Sequence, residues 1–148
     1  NTGRTIKHRL QTENLITRLG SDLKEFFSSC LPYDYTGYKP VLINEYQRIT
    51  LVSTHYPERI TLDLNLKYHQ GSTDIMLPDI MIVELKRGGE QTSSYAYKYL
   101  SAMRIRPKGF SKYCVGISLL YGDFIKNNSF RMTLRFIQKM MHGGPVRW

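Results

Sequence analysis

An α+β fold with an antiparallel sheet is predicted for this chain of 148 residues. Three observations predict it. A helical repeat stands on the N-terminal side, three strand patterns follow one another through the middle, and further helical repeats fill the C-terminal third. Strands that succeed one another through short connections pair antiparallel, and helices segregated in the chain order give an α+β arrangement.

The elements follow in order. NTGRTIKHR, residues 1–9, reads as the end of a strand, with Thr5, Lys7 and Arg9 on one face. A helix is expected over 11–29, where Leu15, Ile16, Leu19, Leu23, Phe26 and Phe27 recur at helical spacing and Pro32 stops it. LPYDYTGYKP is a loop. A strand over 41–52 is joined by THYPE to a second over 58–68, so the two are expected to be antiparallel neighbours. In that second strand Ile60, Leu62, Leu64, Leu66 and Tyr68 alternate with Arg59, Thr61, Asp63, Asn65 and Lys67. HQGSTD reads as a loop, and IMIVELK, 80–86, as a third strand with two largely apolar faces, expected to be covered on both sides.

Helices are expected over 93–105 and from Ser111, whose hydroxyl suits an N-cap. The second of these also reads as a buried strand; the stripe Tyr113, Cys114, Ile117 and Leu120 favours helix. A last amphipathic helix follows from Asn128 or Ser129 to the glycines at 143 and 144. Its Met132, Met140 and Met141 are expected to pack, and Lys126, Arg131, Arg135 and Lys139 to face water. One domain is expected over 1–148, without repeats or linker.

Composition narrows the function. Apolar residues make up 41%, so the chain is globular, and no apolar run approaches the roughly 20 residues that span a bilayer. Cys30 and Cys114 offer neither a disulfide framework nor zinc spacing, which suits a reducing, cytoplasmic compartment. Lys and Arg total 21 against 12 Asp and Glu, a formal charge of +9, which favours anionic partners such as phosphate esters, polyphosphate or nucleic acid.

The polar strand faces carry the candidate chemistry. Asn44, Tyr46, Arg48 and Thr50 share one face of the first strand; Arg59, Thr61 and Asp63 share one face of the second; Glu84 and Lys86 share one face of the third. Two readings of Glu84 and Lys86 stand side by side. They form a structural ion pair, or a carboxylate for a divalent metal beside an ammonium for an anion. Glu84-Leu85-Lys86 is also the E-x-K of PD-(D/E)xK nucleases. Asp79 lies too far along the strand to complete such a site, which leaves Asp74 or Asp63. No Walker-type loop is present.

Taken together, NTGRTIKHR, EYQRITL, PERITLDLNL, IVELKRG and GFSKYCVG resemble, in this order, the VTC domain. This is the polyphosphate-polymerase domain of the triphosphate tunnel metalloenzyme (CYTH-like) superfamily, here resembling its bacterial branch. The likeness spans roughly 1–120, and NNSFRMTLR resembles the family's C-terminal end. It implies an antiparallel barrel forming a tunnel flanked by helices. Three or four of about eight strands are legible, and the family's acidic-x-acidic-Lys and Arg-x-Arg strands are expected before residue 1, making this the C-terminal part of a larger domain.

The resemblance also implies the site. Arg48, Arg59 and Lys112 would be the catalytic phosphate contacts, and Lys7, Arg9, Tyr46 and Lys86 would line the substrate path. Glu84 would hold a divalent Mn²⁺ or Mg²⁺, and Asp63 would orient an arginine or lysine. The apolar row of the second strand would pack outward against helices. The implied reaction is metal-dependent transfer of the terminal phosphoryl group of a nucleoside triphosphate to polyphosphate, with no specific nucleic-acid partner. A triphosphate hydrolase, a nuclease using Glu84 and Lys86, and a non-catalytic polyphosphate- or nucleotide-binding module are the alternatives.

Overall fold

The computed structural model describes residues 7–13, 19–35, 37–88 and 94–142. Contacts divide the chain into two compact units, Asn1–Val41 and Leu42–Trp148.

In the first unit, helix α1 spans Ser21–Cys30. It starts ten residues later than the apolar spacing predicts, because Gly20 interrupts the pattern: glycine is a poor helix interior and an acceptable N-cap. Residues 11–13 are not helical, and Leu15 and Ile16 lie outside the described residues. The helix ends at Leu31, whose N–H bonds the Phe27 carbonyl at 2.8 Å, just before Pro32. Tyr35 folds the next loop back onto the helix, its hydroxyl donating to the Lys24 carbonyl at 2.5 Å and its ring 5.4 Å from that of Phe27. The strand expected over 1–9 is not found at residues 7–9, which carry no regular structure; residues 1–6 lie outside the described part.

The second unit is built on an antiparallel four-stranded sheet with helices, and the sheet does not close into a barrel among the described residues. Strand β1 spans Ile43–Val52 and β2 spans Glu58–Gln70, joined as expected by a short loop. Ser53 shapes that loop, its Oγ accepting from the Tyr56 N–H at 3.1 Å. Strands β3, Thr73–Leu77, and β4, Ile82–Arg87, both pair with the edge of β2 opposite β1, β3 along its end and β4 along its start. They are two pieces of one returning strand, interrupted at Pro78, which has no N–H to give a ladder. The segment read as a loop, 69–74, thus holds the end of β2 and the first two residues of β3. Gly71, at φ +56, takes the first corner of a two-residue turn between the paired Gln70 and Thr73.

One irregularity decides which side chains share a face. Along β1 the register passes from Glu45 to Gln47, while along β2 it passes from Lys67 to Leu64. The extra β2 residue makes a bulge at Asn65, whose φ of +51 an asparagine tolerates better than most residues. Alternation on β2 therefore changes sides there. Leu66 and Tyr68 join Arg59, Thr61 and Asp63 instead of Ile60, Leu62 and Leu64, which corrects the face assignment drawn from strict alternation.

This shared face is the buried one. Helices α3, Lys112–Tyr121, and α4, Arg131–Met141, contribute Val115, Leu134 and Ile137 to a core with Leu66, Tyr68 and Leu77. The opposite face carries Ile49, Leu51, Ile60, Leu62 and Leu64. The expectation that helices cover this row is not met among the described residues, where Ile49 and Leu51 are about half exposed. Nor is β4 covered on both sides: Glu84, Lys86 and Arg87 are exposed and its apolar residues are half-buried.

Helix α2 spans Tyr95–Ala102 and α3 starts where expected, each capped by a serine, Ser94 and Ser111. On α3 the buried stripe is Val115, Gly116 and Ser118, and the expected Tyr113 is exposed. On α4 the basic residues face water as expected, but Met132 and Met141 are exposed too, and Met140 is half-buried. No helix among the described residues is long and apolar enough to cross a membrane.

Candidate functional site

Asp63 lies at the floor of the bulged face, 1% exposed, directly opposite Arg48 in the β1–β2 register. Arg48 grips it with both prongs of its guanidinium, Nε to Oδ1 at 2.6 Å and Nη2 to Oδ2 at 2.8 Å. Lys112, the first residue of α3, brings its Nζ to 2.5 Å from Oδ2. The position of Lys112 follows from the helix: Ser111 fixes its first turn, and Gly116, one turn on, seats it tightly on the Tyr68 ring. The Tyr46 ring lies beneath both cations, 5.2 Å from the Arg48 Cζ and 4.7 Å from the Lys112 Nζ.

The electrostatics follow from this geometry. The Arg48 hydrogen bond, reinforced by Lys112, outweighs burial and pulls the Asp63 carboxyl down to about 2. The same bond raises the Arg48 pKa. Two positive charges share one negative charge, so the cluster keeps a net positive charge. Each cation spends only part of its donors on Asp63. Asp63 thus orients both an arginine and a lysine, in agreement with its expected role.

Further along the same face, Thr61 faces Thr50 on one side and Glu84 on the other, and Arg59 faces Lys86. Thr61 is 6% exposed, and its Oγ1 finds no hydrogen-bond partner among the described residues. This orphan hydroxyl has no sequence signal, since nothing in an alternating strand marks which threonine will lack a partner. Glu84 and Lys86 form an exposed pair at 3.2 Å, and the Glu84 charge is felt by Arg48. Asp63 and Arg59 are four residues apart, about 13 Å along the strand. The sheet therefore brings together Tyr46, Arg48, Arg59, Glu84 and Lys86, and α3 adds Lys112. Lys7 and Arg9 belong to the first unit, where both are exposed.

A carboxylate cluster of the nuclease kind does not form here. Asp63 has both oxygens committed to cations, and Asp74 is held by His69 at 2.6 Å and Lys67 at 3.3 Å. Among the described residues no three His, Cys, Asp or Glu side chains come together to hold a metal. Among the described residues of this face, Glu84 is the carboxylate not committed to the Arg48 and Lys112 cations, and it lies close to the basic groups. Magnesium is commonly held by one or two carboxylates with the substrate's phosphates supplying the rest, so Glu84 fits a single-carboxylate site of that kind.

No curated protein and no solved structure matches the chain. A family model described as the VTC domain matches residues 4–121, a span that takes in β1 to β4, α3 and every residue of the cluster around Asp63. The chain belongs to the VTC domain family, which is associated with polyphosphate.

Proposed function

We propose that the chain carries a metal-dependent polyphosphate polymerase activity, transferring the terminal phosphoryl group of a nucleoside triphosphate to a polyphosphate end. The observation that carries this reading is the Arg48–Asp63–Lys112 cluster with an orphan Thr61 hydroxyl beside it. A buried carboxylate holds two cations with donors to spare, and the next rungs of the same face offer a hydroxyl and two more cations. Such an array suits a chain of phosphates.

The roles follow from position. Arg48 and Lys112 bind the oxygens of the phosphoryl group in transfer, and Tyr46 supports both from below. Arg59 and Lys86 hold the neighbouring phosphates. Fixed cations cost no reorganisation when charge shifts during the reaction, and positioning with electrostatics supplies most of the catalysis in phosphoryl transfer. Glu84 would hold the Mn²⁺ or Mg²⁺ ion, which when bound neutralises phosphate oxygens. The two free thiols, Cys30 and Cys114, favour a reducing compartment, the cytoplasm.

Incubation of the full chain with ATP and Mn²⁺ tests the proposal. Polyphosphate that grows with time is the expected product. Free phosphate alone would identify a triphosphate hydrolase instead, and nucleotide binding without either product would identify a binding module.

A further inference from the structure

Arg59 and Lys86 stand directly opposite one another in the β2–β4 register. Like charges in that position destabilise a sheet. Lys86 is relieved by Glu84 at 3.2 Å, whereas Arg59 has no ion-pair partner among the described residues. Arg48, on the neighbouring strand, has its carboxylate; Arg59 does not. An uncompensated arginine facing a lysine leaves this end of the sheet with local positive charge, which attracts anions.

The surroundings of this pair say what kind of anion. Val52, Tyr56, Pro57, Arg59, Lys86 and Gly88 line an open hollow at the end of the sheet. Its wall offers Val52, Pro57 and the Tyr56 ring beside two cations. The wall is also held by hydrogen bonds and a ring contact. The Pro57 carbonyl accepts from the Gly88 N–H at 2.7 Å, Ser53 accepts from Tyr56, and the Tyr56 ring rests 5.2 Å from that of Tyr95. Glu58 and Arg87, which also line it, are opposite each other in the register and offset one another. A bare phosphate chain has no use for such a wall. A nucleobase does, because every base presents a π face to an aromatic ring.

We infer that this hollow is a nucleobase subsite, in which Tyr56 and Pro57 receive the base while Arg59 and Lys86 take the phosphate next to the nucleoside. The inference rests on the reading of this face as a phosphate path and gives that path a direction. The nucleoside lies at the Arg59 end. The terminal phosphoryl points toward Arg48 and Lys112, about 13 Å away, where the Tyr46 ring is already covered by both cations.

The test is calorimetric titration of the full chain with ATP and with inorganic tripolyphosphate, on the wild type, Tyr56→Ala and Tyr56→Phe. Tyr56→Ala is expected to weaken ATP on the order of ten-fold and to leave tripolyphosphate within about two-fold, since only ATP has a base to stack. Tyr56→Phe keeps the ring and is expected to keep the ATP affinity. Tripolyphosphate also reports on folding, because a misfolded variant loses both ligands. If Tyr56→Ala binds ATP as the wild type does, or if Tyr56→Phe, which keeps the ring, loses ATP while keeping tripolyphosphate, the subsite is wrong and the phosphate path stands. A wild type that binds neither ligand overturns both.

Discussion

Gly116 of α3 sits so close to the Tyr68 ring that a Cβ at this position would lie 2.4 Å from Cδ1. Alanine normally gains up to about 1 kcal/mol over glycine inside a helix. Here the overlap involves a fully buried ring that has no room to move aside, and overpacking of this kind costs about 1–3 kcal/mol. Gly116→Ala is therefore expected to lower stability in a urea titration. It is also expected to weaken tripolyphosphate, because shifting α3 draws Lys112 away from Asp63. A variant as stable as the wild type would mean that the helix seats elsewhere.

Asp63 makes the cluster acid-sensitive. Its carboxyl is lowered from the ordinary 3.8 to about 2 by Arg48 and Lys112. A depressed carboxylate stabilises the folded state fully above its unfolded pKa, and the contribution disappears as pH falls through the folded pKa. Roughly 2 kcal/mol is thus expected to vanish between about pH 4 and pH 2. Urea titrations across that range check it. In Asp63→Asn the stability should be lower near neutrality and its slope across this window flatter; an unchanged slope would assign the acid sensitivity to other carboxylates.

Much of this site is legible in the sequence, and the limits are local. Two-residue alternation from Arg59 to Leu64 correctly puts Thr61 and Asp63 on one face, and the THYPE connection correctly makes β1 and β2 antiparallel. Past Asn65 the alternation misleads, because one extra residue moves Leu66 and Tyr68 to the site face and Lys67 away from it. Only a backbone conformation records that change. The same bulge explains how a single face is apolar at one end, where α3 and α4 pack, and charged at the other. Strand β3 escapes the pattern because it is five residues long and its first two residues fall in a segment that reads as a loop. Spacing alone misplaces the α3 stripe because Gly116, neutral in the pattern, is the point of closest approach.

Arg48→Lys separates charge from shape. Lysine keeps the positive charge but cannot reproduce the two parallel bonds from Nε and Nη2 to Asp63. Lys112 still holds one oxygen, so a modest loss of stability is expected and not the larger cost of a stranded buried charge. Tripolyphosphate affinity is expected to fall about ten-fold, since a flexible ammonium presents its donors with less order. Wild-type affinity in this variant, measured by calorimetry, would show that only net charge matters at this position.

Glu84→Gln distinguishes a metal ligand from a structural partner. The Glu84–Lys86 pair is exposed on both sides, and such pairs contribute about 0–1 kcal/mol, so the variant is expected to melt close to the wild type. Glutamine keeps the shape and removes the charge that a hard cation needs. Phosphoryl transfer with Mn²⁺ is therefore expected to drop by more than about 100-fold. Tripolyphosphate binding measured without metal should be unchanged or slightly tighter, because a negative charge has left a basic face. The two readouts move in opposite directions only if Glu84 acts through a cation. Equal loss of metal-free binding and turnover would instead make Glu84 the partner that holds Lys86 in place.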